Sequence, residues 1–277
     1  MSDPFSPYRR VQITRVGRGG DGEAEDLAAA EEPLEIRLHG RPFAVIMRTP
    51  GSDRELAAGF LLSESVIRSH ADLGAVEHCR HPHHPEAHNI VDVYLLGQAA
   101  RSLEAHLEQR RNVLTSSSCG LCGRVAIESL RVDAAPLAGE HVLDCAVAAS
   151  LPQRLRERQV VFDETGGLHG AALFSKDGEC ETSAEDVGRH NAVDKVVGAM
   201  LLQERLPLAG RALAVSGRAS FEIVQKAWLA GIPILCAVSA PSSLAIELAQ
   251  EAGITLLGFV RDGGFNLYTH PWRISGV

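Results

Sequence analysis

Residues 211–260 read RALAVSGRASFEIVQKAWLAGIPILCAVSAPSSLAIELAQEAGITLLGFV, and this stretch decides the fold. Three short apolar runs, 211–217, 232–238 and 254–260, alternate with two stretches of helical period, 220–231 and 241–253. The runs are too short for helices and carry the β-branched and small residues of buried strands. Gly231 and Gly253 stand where a helix must turn left-handed to stop. Strand, helix and strand in succession predict right-handed βαβ units and a parallel sheet. A further helix over 191–204, NAVDKVVGAMLLQE, precedes the first strand.

The ends of these strands are chemically alike. Ser216-Gly217-Arg218-Ala219-Ser220 follows the first, Ser239-Ala240-Pro241-Ser242-Ser243 the second, and Phe259-Val260-Arg261-Asp262-Gly263-Gly264 the third. Small residues, free N–H groups at a helix start and an arginine are what an anion needs at the carboxyl end of a parallel strand. Pro241 is expected as a first helical residue. One such loop is ordinary, whereas three on successive strands point to one face. Just upstream, Glu185-Asp186-Val187-Gly188-Arg189-His190-Asn191 opens the helix at 191–204. Asp186 or Asn191 can cap it, and Arg189, His190 and Lys195 suit an anion.

Toward the N-terminus the pattern changes. Residues 33–38 and 43–49 alternate as strands about His39-Gly40, a hairpin signal. A helix is expected from Glu55 to about Val66 with Asp53 as its cap, then a strand at 89–96 and a charged helix at 102–111. Further on, a helix is expected near 144–159 and a hairpin closed at Asp177-Gly178. The predicted organisation is a loosely ordered arm over 1–31, a β-rich portion with helices over 32–110, a mobile loop over 111–124 and an α/β ligand-binding domain over 125–277. The fold class is α/β, with a mixed, largely parallel sheet between helices.

Composition excludes several classes of function. Of 277 residues, 45% are hydrophobic, 22% charged and only 5% aromatic, the balance of a soluble globular chain with an aliphatic core. A formal net charge of −8 argues against a nucleic-acid partner, which requires a basic surface. The first residues lack the apolar run of a signal peptide, and no stretch approaches a membrane span, so a cytoplasmic location is expected.

Six cysteines, at 79, 119, 122, 145, 180 and 236, are too few and scattered for a disulfide framework. Cys145 and Cys236 sit in apolar runs and read as packing residues. Cys119 and Cys122 differ. They lie in SSSCGLCGR, residues 116–124, where small neighbours give a thiolate both access and reach. Four readings stay open for this pair: a sulfur carrier, half of a zinc site, a thioredoxin-like couple, or no role. His169, with Cys119 and Cys122, mimics the ligands of zinc deaminases, but Ala171 stands where their glutamate belongs. No structural metal is therefore expected. The His-rich tract of 79–88 reads as a solvated loop.

Six segments in order, 47–64, 116–124, 166–174, 185–198, 216–227 and 237–261, resemble the FdhD family of formate dehydrogenase accessory sulfurtransferases. The resemblance spans roughly 33–269. It implies a cytidine-deaminase-like α/β fold without deaminase chemistry, in a homodimer. It also implies that Cys119 accepts a persulfide from a cysteine desulfurase, assisted by Cys122. The sulfur would pass to the molybdenum of a bis(molybdopterin guanine dinucleotide) cofactor destined for formate dehydrogenase. The resemblance implies that the family's cofactor contacts fall on Phe259, Val260, Arg261, Asp262, Gly263 and Gly264; the strand-end reading adds Ser216, Gly217, Arg218 and Ser239, and the segment 185–191 adds His190. The alternative is a non-catalytic chaperone for that cofactor.

Overall fold

The computed structural model describes residues 5–17, 21–80, 86–111, 134–139 and 141–277. The chain begins with a hairpin, β1 (Tyr8–Arg15) and β2 (Gly22–Ala29), paired antiparallel along its whole length. This corrects the loose arm expected over 1–31. The strands are so charged that their alternation hides, and they are held by contacts made elsewhere. The Pro7 carbonyl accepts from Ala30 N–H, Arg9 pairs with Glu32, and Phe5 meets the His78 ring edge-on at 5.5 Å.

A four-stranded sheet follows, built from β3 (Glu32–Leu38), β4 (Arg41–Arg48), β5 (Leu73–His78) and β6 (Ile90–Leu95) in the order β4-β3-β6-β5. β3 and β4 turn at His39 and Gly40, both with positive φ, the two-residue turn that His-Gly predicts. α1 (Asp53–Ser63) covers the inner face. Its cap position is Ser52, not Asp53. Asp53 instead grips the fully buried Arg48, with both of its oxygens at 2.9 Å. Two short helices, α2 (Gly97–Arg101) and α3 (Leu103–Arg111), close this part.

β7 (Leu143–Asp144) leads into α4 (Cys145–Arg156), capped by Asp144, whose carboxylate accepts from Ala146 and Val147 N–H. α5 (Val160–Thr165) precedes the hairpin β8 (His169–Phe174) and β9 (Cys180–Asp186). Then come α6 (Arg189–Leu202), β10 (Ala212–Val215), α7 (Phe221–Leu229), β11 (Ile234–Ala237), α8 (Ser243–Ala252), β12 (Thr255–Arg261), β13 (Gly264–Thr269) and β14 (Ile274–Ser275), which pairs with β7. The main sheet runs β13-β12-β11-β10-β8-β9. Its middle three strands are parallel and its flanks antiparallel, so the sheet is mixed and its parallel part is the segment first read from the sequence.

Period two in these strands fills two cores. Leu213, Val215, Leu235, Ala237 and Leu256 face one side, against α1, α6, α7 and α8; Ala212, Ala214, Ile234, Cys236 and Leu257 face the other, against α4. The first core also contains Leu34 and Ile36 of β3, so the N-terminal sheet and the main sheet share one interior. At its centre α1 crosses α6 so closely that glycines are obligatory. A Cβ on Gly198 would lie 1.8 Å from the Glu55 carbonyl oxygen, and one on Gly59 would lie 2.0 Å from that of Asp194. A buried cluster reinforces the crossing: Lys226 of α7 donates to both oxygens of Asp194 at 2.7 Å, and Ser63 of α1 donates to the same carboxylate at 2.8 Å. Burial pushes the Cys236 thiol up to about 12, which makes it a packing residue with no thiolate chemistry at neutral pH. Among the described residues no helix is long and apolar enough to cross a membrane.

Candidate functional site

The carboxyl ends of β10, β11 and β12 lie side by side at one edge of the main sheet. Ser216 anchors the first loop, accepting from Gly170 N–H at 2.9 Å and returning its own N–H to the Gly170 carbonyl at 3.0 Å. Gly217 O accepts from Ser239 N–H at 3.4 Å, and Ser239 O accepts from Phe259 N–H at 3.2 Å. The three predicted loops are thus laced side by side. Ser220 begins α7, and Ser242 begins α8, its hydroxyl accepting from Ala245 N–H. Pro241 therefore precedes the helix cap and is not the first helical residue.

The third loop is not a strand-to-helix junction. Asp262 and Gly263, with φ of 54° and 77°, form the tight turn of a hairpin joining β12 to β13, with Arg261 opposite Gly264. Asp-Gly is the usual sequence for such a turn, because both central residues must take positive φ. No helix N-terminus backs this segment. Val260 is fully buried, so its side chain packs in the core and only its main chain can meet a ligand. Arg261 is exposed, its guanidinium 5.6 Å from the centre of the Phe259 ring. Phe259 itself holds a φ of 52°, a conformation non-glycine residues rarely adopt. Beside it, Gly258 lets Pro241 and Tyr268 pack closely, since a Cβ there would fall 2.8 Å from Pro241 and 2.9 Å from Tyr268. Arg218 is exposed.

The start of α6 lies beside these strand ends, Arg189 Cδ standing 3.8 Å from where a Gly217 Cβ would be, and Asp186 organises it. One carboxylate oxygen accepts from Gly188 N–H and from Asn191 Nδ2, both at 2.8 Å; the other accepts from Thr49 N–H at 3.1 Å and pairs with Lys195 Nζ at 2.8 Å. Lys195 also donates to the Thr49 carbonyl at 2.8 Å. Lys195, expected among the anion ligands, is almost wholly buried and committed to this network, so it positions α6 and cannot reach a ligand.

His190 is buried, its Nε2 3.2 Å from Ser220 Oγ and 3.5 Å from Glu222 Oε2. Burial would raise the Glu222 carboxyl. The hydrogen bonds from His190 and from its own N–H, the His190 charge and Ser220 outweigh that effect and hold it at about 2. His169 is tuned oppositely. Burial lowers its pKa, Arg189 and His190 lower it further, and Asp186 opposes them only in part. His169 and Arg189 converge on Gly217: a Cβ there would lie 3.6 Å from His169 Nδ1 and 3.8 Å from Arg189 Cδ.

The structure brings Ser216, Gly217, Ser239 and Phe259 side by side at the ends of β10, β11 and β12, sets His190 against Ser220 at the start of α7, and leaves Arg218 and Arg261 exposed. Cys119 and Cys122 lie outside the described residues. Sequence reasoning considered His169 only as a zinc ligand, yet its cationic neighbours suit an anion. Glu222 was missed altogether, although its place at the first turn of a helix flanking the strand end was a usable signal. The roles of the Met47 and Thr49 carbonyls, which accept from Asn191 and Lys195, leave no trace in side-chain identity.

A model of the FdhD/NarQ family matches residues 29–275. The chain is 49% identical to the sulfur carrier protein FdhD of Streptomyces coelicolor, covering 96% of this chain and 95% of that one. It is 50% identical to the protein of the same name from Anaeromyxobacter dehalogenans strain 2CP-C, over 98% and 96%, and 42% identical to that of Sulfurisphaera tokodaii, over 96% and 98%. A crystal structure described as a formate dehydrogenase accessory protein, from Desulfotalea psychrophila, shares the fold with a TM-score of 0.77 and 27% identity, covering 97% of this chain and 100% of that one.

Proposed function

Because this chain belongs to the FdhD/NarQ family, we propose that it is a sulfur carrier serving formate dehydrogenase. A cysteine desulfurase presents a persulfide, and the Cys119 thiolate attacks its outer sulfur. The donor's S–S bond breaks, the donor leaves as a thiolate, and Cys119 carries the persulfide; no electrons are gained or lost overall. Cys122, three residues on, assists. The substrate that receives the sulfur is the bis(molybdopterin guanine dinucleotide) form of the molybdenum cofactor, before its insertion into formate dehydrogenase, and the carrier acts as a homodimer in the cytoplasm.

The observation that most supports this reading is the meeting of Ser216, Gly217, Ser239 and Phe259 at the ends of β10, β11 and β12. His169 and Arg189 stand beside Gly217 there, in a chain of net charge −8. A large polyanionic nucleotide needs such a local cationic pocket on an otherwise acidic protein. The test is intact-protein mass spectrometry after incubation with a cysteine desulfurase and cysteine. The expected result is an added sulfur atom that reductant removes and that Cys119→Ala abolishes. A protein that binds guanine nucleotide but never gains this sulfur would be a cofactor chaperone, and the sulfur-carrier reading would fall.

A further inference from the structure

We infer that the free edge of β5 is a docking site for an extended, acidic segment of a partner protein, which adds there as a further strand. β5 ends the four-stranded sheet, in the order β4-β3-β6-β5, so one of its two sides has no strand beside it. The Cys79 N–H donates to the Ile90 carbonyl at the start of β6, at 2.9 Å. By the alternation of an antiparallel pair, Glu77 also turns its main chain toward β6, whereas Val76 and His78 turn theirs outward. The Val76 carbonyl fixes that direction, since it accepts from Arg54 Nε of α1 at 2.7 Å. On the opposite edge strand, β4, the Met47 carbonyl is taken by Asn191. The outward side of β5 opens instead on a groove of about 600 Å³, lined by His70, residues 73–80, Arg54 and Leu202.

An unpaired strand edge is a template for main-chain pairing, which proteins blunt with a bulge, a charge or a cover. β5 has a register shift between Leu73 and Ala75, which leaves 75–79 as its straight part, about 16 Å of edge. That length takes a segment of about five residues, held by main-chain hydrogen bonds to Val76 and His78. The charges of the groove choose its composition. Among the described lining residues Glu77 is the one carboxylate, and Arg80 answers it at 2.6 Å. Arg54 is exposed, its Nε is held by Val76, and among the described residues no ion pair occupies its guanidinium. The surplus charge along this edge is therefore positive, in a chain of net charge −8. A carboxylate on the incoming segment would meet the Nη groups of Arg54 as a charge-assisted pair, and a basic segment would be repelled. A second copy pairing β5 with β5 about Val76 would bring two Arg54 side chains together, which disfavours it. The inference uses none of the residues on which the sulfur-carrier reading rests.

The probe is a short synthetic peptide alternating glutamate and valine, blocked at both ends, titrated into the full chain. Amide exchange followed by NMR is expected to slow at Val76 and His78 and to stay as it was at Glu77, whose main chain faces β6. Arg54→Glu should weaken this peptide by about tenfold or more and admit the same peptide with lysine in place of glutamate. A merely structural Arg54 would not exchange one preference for the other, and an acidic residue in the first turn of α1 suits the helix, so the variant should fold. The peptide N-methylated at alternate residues keeps its charge and loses main-chain donors, and it should bind about tenfold more weakly or worse. A parent chain that does not bind the glutamate peptide overturns the inference. Equal binding of the N-methylated form overturns it too, since charge would then act without strand addition. Protection of Val76 and His78 that rises with protein concentration in the absence of peptide would give the edge to a second copy and overturn the acidic partner.

Discussion

Asp186 and Lys195 meet at 2.8 Å in the interior, and through Lys195 the start of α6 is fastened to the Thr49 carbonyl. The pair explains why Lys195, close to the proposed nucleotide site, is unavailable to a ligand. Removing one partner of a buried pair strands the other charge, which costs about 3–5 kcal/mol. Lys195→Ala should therefore shift the urea midpoint far to lower concentration and disturb nucleotide binding only through the fold. A midpoint within error of the parent would show that Asp186 is satisfied by Thr49, Gly188 and Asn191 alone.

Glu222 gives the protein an acid-sensitive element. Its folded pKa, about 2, lies below the ordinary 4.5. A carboxyl depressed by folding contributes stability that is complete above the unfolded value and is lost as pH falls through the folded one. The loss therefore runs from pH about 4.5 down to about 2. Glu222→Gln should lower stability at pH 7, by on the order of 3 kcal/mol at most. It should also flatten the stability profile across that acid window. Urea melts at a series of pH values would show it, and parallel profiles for parent and variant would refute the pairing with His190.

The crossing of α1 and α6 predicts a different failure. Gly198→Ala places a Cβ 1.8 Å from the Glu55 carbonyl, and no rotamer change relieves a clash with main chain. The helices must part, at a cost of about 1–3 kcal/mol or more. Because α6 carries Arg189 and His190, its displacement should also weaken GDP binding. Gly59→Ala, facing Asp194, should behave alike. A melting temperature unchanged in both variants would mean that the helices do not approach as described.

How much of this was legible in the sequence follows from which signals are local. The strands at 212–215 and 234–237 were readable because burial on both faces writes a continuous apolar run, and Gly231 and Gly253 marked the helix ends. His39-Gly40 and Asp177-Gly178 announced their turns. Asp262-Gly263 announced one just as clearly, but its neighbours Arg261 and Gly264 suggested a phosphate loop, and the hairpin was read as a helix junction. The β1–β2 hairpin escaped because its strands alternate charge more than hydrophobicity. The His190–Glu222 contact joins residues far apart in sequence, and the anchorage of Lys195 ends on a main-chain carbonyl; neither leaves a pattern in side-chain order.

Gly217 is a position where folding and binding can be separated. Its φ lies outside the left-handed range, and a Cβ there would make only ordinary contacts, 3.6 and 3.7 Å from the His169 ring and 3.8 Å from Arg189 Cδ. Gly217→Ala should therefore fold with a stability within about 0.5 kcal/mol of the parent, as a surface change away from the core does. The methyl group would nevertheless occupy the gap between His169 and Arg189 that an anion must enter. GDP affinity should fall several-fold, and Gly217→Val, larger still, should abolish binding while the circular dichroism spectrum stays that of the parent. The contrast with Gly198→Ala is the useful control, since there binding and stability should drop together. If Gly217→Val binds GDP as the parent does, the anion does not enter between His169 and Arg189, and the ligand sits further along, toward Ser239 and Phe259.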